Sequence, residues 1–359
     1  MGDALTIREI VARPVMVGLD RPIRTAVGEI PSAPLVLIDV ATEQGIVGRS
    51  YLFAYAPPAL APLARLVAEI GAELVGKLVA PAERMRDFDR RFRLLGWHGL
   101  VGMAVAGLDM AFWDILARAV DLPLVALLGG VPRPLRAYDS FGILDLKTDE
   151  PAIVAAVAAG FGGVKIKIGG ADLARDLADV GAVRAMIGPD VALMVDYNQS
   201  LDPVEARRRI AHLARFDLTW VEEPVPAEDL AGHARVRAAS PAPIQTGENW
   251  WFPRAAADAI AAGASDHAML DVMKIGGVTG WLEAAALCKA ASLPVSSHAF
   301  VEASAHLLAV TPTALWLEHL DKARRILRHP VPVERGLVTA QGPGLGLEWD
   351  EAAVSRLST

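Results

Sequence analysis

The chain has 359 residues, 53% of them hydrophobic and 21% charged, with aromatics at only 6%. That is enough apolar material for a large core built mainly from Ala, Val, Leu and Ile, and it excludes an intrinsically disordered chain. A net charge of -7 leaves no basic footprint for nucleic acid, and the single cysteine, Cys288, excludes a disulfide framework and a Cys-based zinc site. Cys288 lies in the helix-like run TGWLEAAALCKAA, where it reads as a small buried apolar residue. The N-terminus carries Asp3, Arg8 and Glu9 where a signal peptide would need an apolar run. The charge-free stretches between Arg49 and Arg65 and between Glu302 and Glu318 fall short of the ~18 residues of a membrane span. A cytoplasmic protein with no membrane partner is expected.

In chain order, TIREIVARPVMV reads as a strand. PLVLIDVAT and GIVGRSYLF then flank the turn Glu43-Gln44-Gly45 as an antiparallel hairpin. Helices are predicted over about 59–76, 82–95 and 101–119. In the last, Val101, Val105, Leu108, Phe112 and Ile115 fall on one face. The cluster Gly129-Gly130-Val131-Pro132 closes this α+β region and suggests a boundary, giving a first domain over 1–131.

The following segment, 132–321, is rhythmic. Eight short apolar runs alternate with amphipathic helical stretches: AYDSFG, GVKIKIG, ALMVDYNQ, LTWVEEP, PIQTGEN, AMLDVMKIGG, PVSSHAF and ALWLEHL. Lys165 and Lys167, then Asp196, Glu222, Glu248, Asp271, His298 and Glu318 stand near their C-terminal ends, 20 to 29 residues apart from Lys167 onward. A strand, a loop, a helix and a loop consume about that much chain, so the expected fold is an α/β barrel of TIM type with its chemistry at the strand C-termini. A Gly/Pro-rich tail, 322–359, is expected to pack back on the first domain.

Residues two apart share a strand face, so Lys165 and Lys167 point together into the barrel mouth. Their repulsion and dehydration should lower at least one pKa and make that lysine a base. Asp196 and Asn198 should likewise face inward together, whereas only one of the adjacent Glu222 and Glu223 can do so on a regular strand. Asp196, Glu222 and Glu248 end neighbouring strands and would repel one another unless a cation lies between them. All-oxygen ligands suit a hard ion, with Mg²⁺ the default. Asp271 and His298 end adjacent strands, as a carboxylate orienting an imidazole base would. A lysine on one side of a chelated substrate and a histidine on the other is the arrangement for 1,1-proton transfer at a carbon α to a carboxylate. The enediolate charge would be met by the cation, by Lys165, and by Glu318, most effectively as a neutral acid whose pKa is raised by its apolar surroundings. No GxSxG is present, which disfavours serine hydrolase chemistry.

The motifs KIKIGG, VDYNQS, WVEEP, GEN, DVMKIGGVTGW, SSHAF and LWLE, with RTAVG, APLVLID and YLFAY before them, resemble those of the enolase superfamily, mandelate racemase subgroup. The resemblance runs nearly end to end. It implies an N-terminal α+β capping domain, a (β/α)7β barrel and a C-terminal segment returning to the cap. It implies one Mg²⁺ per subunit on Asp196, Glu222 and Glu248. Lys167 would be one base and His298, supported by Asp271, the other, with Lys165 and Glu318 as electrophilic stabilisers. Asn198, Lys274 and Ser140 would orient or bind the substrate. Two positions depart from the subgroup's pattern: Phe141-Gly142 stand where a more polar pair is expected, and Ala299 where a larger aliphatic residue is.

Cap loops at 20–32 and 50–58 offer Ile23, Val27, Ile30, Leu52, Phe53 and Tyr55, with Arg24 and Glu29 as charged exceptions, and Leu320 adds to them from the barrel. An apolar lid favours an aryl or alkyl 2-hydroxy acid over a polyhydroxylated one. The expected activity is therefore racemisation of a 2-hydroxy acid, mandelate or a relative, by a homo-oligomer. The alternative is an acid-sugar dehydratase that forms the same enediolate and gives a 2-keto-3-deoxy acid.

Overall fold

The computed structural model describes residues 4–25, 28–170 and 172–359; Val27 of the expected lid lies outside them. Three strands open the chain: β1 (Ile7–Thr25), β2 (Gly28–Thr42) and β3 (Val47–Phe53), paired antiparallel in the order β1-β2-β3. Helices α1 (Pro57–Ala72), α2 (Pro81–Phe92), α3 (Leu100–Ala119) and the single turn α4 (Leu124–Leu127) follow. α1 begins earlier than its apolar periodicity suggests because Pro57 and Pro58 occupy the first turn, where a missing N–H costs nothing. α3 is long and apolar enough to span a bilayer, but 78% of its most apolar window is buried, against β2, β3, α1 and a barrel helix. Gly48 and Gly107 let the layers meet, since a Cβ at either would lie within 2.6 Å of the facing element.

The 20–32 segment departs from expectation. Pro22 and Pro31 suggest a loop, yet β1 and β2 continue pairing as a ribbon, with Ile23 opposite Ile30 after a register shift beyond Gly18. The pairing survives because both prolines lie outside the recorded partner positions of that tip. The ribbon reaches over the barrel and is fastened there. Arg21 donates to both carboxylate oxygens of Asp139 at 2.9 and 2.6 Å, and Arg24 donates to Asp149 and to the Ile143 carbonyl. Arg21 and Arg24 thus serve as the latches of the lid.

The barrel alternates β4 (Leu135–Ile143), α5 (Leu146–Ala158), β5 (Gly163–Lys167), α6 (Leu173–Ile187), β6 (Ala192–Asp196), α7 (Pro203–Leu213), β7 (Leu218–Glu222), α8 (Leu230–Ala239), β8 (Ile244–Thr246), α9 (Phe252–Ala262), β9 (His267–Asp271), α10 (Gly277–Ala290), β10 (Val295–His298), α11 (Val301–Val310) and β11 (Leu317–His319). β4 to β10 pair in parallel in sequence order, β11 pairs with β4, and the circle closes where Ser297 N–H donates to the Trp316 carbonyl. Helices start on sequence-local caps: Asp145, Asp172, Asp202 and Asp229 each accept a backbone N–H of the first turn. The interior departs from the aliphatic core that the composition suggests. Tyr138, Met194, Trp220, Met269 and Trp316 form a buried plug of large side chains.

The tail forms β12 (Val333–Glu334), β13 (Leu337–Val338) and α12 (Glu351–Leu357), and β13 adds antiparallel to β4. α12 lies on β1, where Arg13 bridges Glu351 at 2.6 Å and Asp39 at 2.7 Å.

Two predictions follow from this packing. At Gly142 an added Cβ would stand 2.5 Å from the Arg24 carbonyl oxygen, backbone against backbone. Gly142→Ala should therefore cost about 1–3 kcal/mol of stability, read by urea denaturation. Asp109 on α3 accepts the Thr279 N–H and hydroxyl at 2.9 and 2.6 Å, and burial pushes its carboxyl up to about 7 despite those bonds. The folded protein then holds a proton that the unfolded chain releases near pH 4, so this group's stabilisation is lost as pH rises from about 4 to 7. Asp109→Asn should flatten the melting temperature across that window.

Candidate active site

Five rim residues stand two positions after an inward-facing residue of the plug: Tyr138 precedes Ser140, Met194 precedes Asp196, Trp220 precedes Glu222, Met269 precedes Asp271 and Trp316 precedes Glu318. The period-2 alternation carries the side chains above the plug. On β5 the plug position is Gly163, because the Met194 methyl already fills that space, 2.9 Å from where a Cβ would sit. Backbone strain collects just past the strands, with positive φ at Asn198 (45°), Glu223 (37°) and Ala299 (48°).

Asp196, Glu222 and Glu248 each offer an oxygen within 4.8 Å of the others, and all three are buried. Asp196 is oriented by Asn198, whose backbone N–H and side-chain amide donate to it at 2.7 and 2.9 Å. Glu222 accepts from the Trp220 indole at 3.0 Å and from Gln245 at 3.1 Å. Burial pushes the Glu222 carboxyl up to about 7, with Lys165 working against it. Glu248 Oε2 is buried without a hydrogen-bond partner. A buried carboxylate oxygen with no hydrogen bond and only the His298 imidazole at 3.4 Å, in a cluster of three acids, fits a hard divalent cation, and the donor set contains only oxygen.

The bases flank this triad. At one end Lys167 Nζ lies 2.5 Å from Asp196; at the other His298 Nε2 lies 3.4 Å from Glu248. His298 Nδ1 is 2.5 Å from Asp271, whose second oxygen accepts the N–H groups of Met273 and Lys274. That bond fixes the tautomer and leaves Nε2 toward the mouth. Burial lowers the imidazole pKa, but Glu248, Asp271 and Glu318 outweigh it and hold the ring above its ordinary value.

Two electrostatic expectations are overturned. Lys165 does push Lys167 down, but the repulsion is outweighed. Burial lowers both, yet the carboxylates prevail, Glu222 and Glu318 for Lys165 and Asp196 for Lys167, and both ammoniums are held above the ordinary lysine range. Glu318 is likewise not a neutral acid. Burial raises it, but Lys165 at 2.8 Å, His298 and Lys322 together pull it below the usual carboxylate range. Its other oxygen accepts the Ala299 N–H at 2.9 Å, which occupies the position after His298 through backbone rather than side chain.

Glu223, the unused half of its pair, leaves the strand and accepts two bonds from Asn249 at 3.0 and 2.7 Å. Asn249 in turn accepts Lys274 Nζ at 2.5 Å, and that ammonium lies 4.7 Å from the Tyr55 ring centre. Of the expected substrate residues, Ile23, Ser140 and Leu320 line a cavity of about 380 Å³ between the ribbon and β11. Phe53 and Tyr55 do not line it; their rings meet at a tilt, centres 4.6 Å apart. Ile30 packs on the hydrophobic core, and Leu52 is wholly buried in the cap. Asn249 and Lys322 escape a sequence reading. The first lies inside the GEN motif, and the second sits one residue after the strand cadence ends.

The chain matches the enolase C-terminal domain-like family over residues 150–353 and the mandelate racemase / muconate lactonizing enzyme N-terminal domain over 7–129. It belongs to the enolase superfamily. A solved enolase from Bradyrhizobium, in complex with magnesium and mandelic acid, is 57% identical with a TM-score of 0.97, covering 100% of both chains. L-talarate/galactarate dehydratase of Salmonella typhimurium is 31% identical over 79% of this chain and 73% of its own. The structure of L-talarate dehydratase from Polaromonas sp. JS666, with Mg and L-glucarate, is 28% identical with a TM-score of 0.85, covering 99% of this chain and 97% of that one. This superfamily member is thus a Mg²⁺-dependent enzyme, and its acidic triad offers oxygens that could hold the ion.

Removing one carboxylate ligand lowers the charge available to the ion. Glu248→Gln should weaken Mg²⁺ binding at least roughly tenfold in calorimetric titration, and should reduce the rise in melting temperature that Mg²⁺ gives the wild-type protein.

Proposed function

We propose that this enzyme racemises a 2-hydroxy acid, mandelate or a related compound, by two-base 1,1-proton transfer. The observation that carries the reading is the placement of Lys167 and His298 at opposite ends of one acidic triad, 2.5 Å from Asp196 and 3.4 Å from Glu248 respectively. The 57% identical Bradyrhizobium structure with mandelic acid supports the substrate class.

A Mg²⁺ held by Asp196, Glu222 and Glu248 would supply positive charge to the substrate carboxylate and draw those acids away from Lys167 and His298. Lys167 Nζ and His298 Nε2 then face the α-carbon from two sides. One takes the proton and the other returns it, which inverts the centre. Asp271 keeps Nδ1 engaged, so exchange is confined to Nε2. Lys165 is the cation that meets charge developing on the carboxylate, held in place by Glu222 at 2.6 Å and Glu318 at 2.8 Å. Asn198 orients Asp196, and Lys274 and Ser140 bind at the periphery. We read the chain as three units, a cap over 1–131, a barrel over 132–321 and a returning segment over 322–359, acting as a homo-oligomer in the cytoplasm.

A second reading, dehydration of an acid sugar, is favoured by the 31% identity to L-talarate/galactarate dehydratase. Protonated His298 would then assist departure of a β-hydroxyl.

The two bases make a divided prediction. In D₂O, Lys167→Ala should lose α-proton exchange with one mandelate enantiomer by roughly 10²–10⁴-fold while sparing the other, and His298→Asn should show the reverse. Proton NMR on each enantiomer reads both; equal loss in both variants contradicts the arrangement. Keto-acid formation from galactarate without any racemisation would establish the second reading instead.

A further inference from the structure

The cavity beneath the ribbon ends on a charge that the proposed reaction does not use. Lys322 is 5% exposed, and its Nζ stands 4.7 Å from the centre of the Phe53 ring. Among the described residues no carboxylate oxygen lies within 4.0 Å of it. The other cations of the cavity wall are matched: Arg21 and His319 with Asp139, and Arg24 with Asp149, while Arg324 is exposed. A buried ammonium without a carboxylate is costly to keep. Burial pulls Lys322 down to about 8, and only the more distant fields of Glu318, Asp271 and Glu248 offset this. The Phe53 ring meets Tyr55, whose ring faces the Lys274 ammonium beside Asp271, and Ser140 of the rim lines the same cavity as Lys322. Lys322 therefore stands at the seam between the catalytic rim and the cavity lined by Ile23, Ser140, Phe141 and Leu320.

We propose that Lys322 is a specificity-determining residue that pairs with a second anionic group at the far end of the substrate, so that this enzyme prefers 2-hydroxy acids bearing two carboxylates. The inference deepens the proposed function and rests on it for the reacting end of the molecule. Ile23, Phe141 and Leu320 accommodate the body of such a substrate, while Asp20, Asp149 and Asp321 on the same wall leave Lys322 as its buried cation without a carboxylate partner. A desolvated ammonium discriminates for an anion more strongly than for a neutral acceptor, because a charge-assisted hydrogen bond replaces an unmatched charge. Phe53 holds the ammonium through its ring face and leaves its donors free for that group.

The test separates binding from turnover. Benzoate, benzene-1,3-dicarboxylate and benzene-1,4-dicarboxylate lack an α-proton and are titrated calorimetrically into the Mg²⁺-loaded protein at fixed ionic strength. Wild type should bind at least one dicarboxylate roughly tenfold more tightly than benzoate. Lys322→Met and Lys322→Gln should abolish the preference without changing benzoate affinity, and Lys322→Arg should retain most of it. In turnover the same preference should appear as a lower KM for 4-carboxymandelate than for mandelate, at similar kcat. No dicarboxylate preference in wild type, or its survival in either neutral variant, overturns the proposal. If the binding preference holds but no 2-hydroxy acid exchanges its α-proton, the proposed racemisation fails and the role of Lys322 stands.

Discussion

Five carboxylates, Asp196, Glu222, Glu248, Asp271 and Glu318, are buried on one rim of the barrel, none more than 8% exposed. Their mutual repulsion in a medium of low dielectric is the constraint that the rest of the rim answers. Lys165 is committed to two of them, Lys167 to a third, and His298 to Asp271 on one ring nitrogen while it faces Glu248 with the other. The Glu248 oxygen that His298 faces, at 3.4 Å, makes no hydrogen bond. The groups that would serve as bases are thus the groups that neutralise the acids while no cation is held. A divalent ion held by Asp196, Glu222 and Glu248 would supply charge that Lys167 and His298 otherwise supply to these acids.

Below the rim, the same acids are positioned by apolar packing. Trp220 fills the barrel axis and turns its indole N–H to Glu222 two residues on. Tyr138 places its ring 5.5 Å from the Lys165 ammonium. The plug is therefore part of the electrostatics as well as the core. Above, the cap is joined to the barrel by guanidinium–carboxylate pairs, which are directional and which share the cavity wall with Ile23, Phe141 and Leu320.

The barrel and most of its rim were legible in the sequence because strand-end charges recur at the spacing of a βα unit, and alternation assigns their faces. The cap strands and the helix at 101–119 were legible for the same reason of period. What stayed hidden depends on pairing between distant segments. The ribbon through Thr25 follows from cross-strand register that Pro22 and Pro31 disguise. The ionisation of Glu318 and the lysines depends on which partner each one reaches. The Glu223–Asn249–Lys274 relay joins three different strand ends, and Gly142 follows from the close passage of Arg24. Lys322 lies beyond the last strand, where the cadence no longer assigns a direction.

The two-residue offset between plug and rim has a bearing on quality control in the cell. A slip of one residue in a strand would turn its plug side chain and its reactive side chain outward together. Tyr138 with Ser140, Met194 with Asp196, Trp220 with Glu222, Met269 with Asp271 and Trp316 with Glu318 would each leave as a pair. A mispaired barrel would then lose its filling along with its chemistry and expose large apolar surface. Faulty copies become recognisable to chaperones and proteases for the same reason that they are inactive, so surveillance of folding serves also as surveillance of catalytic competence.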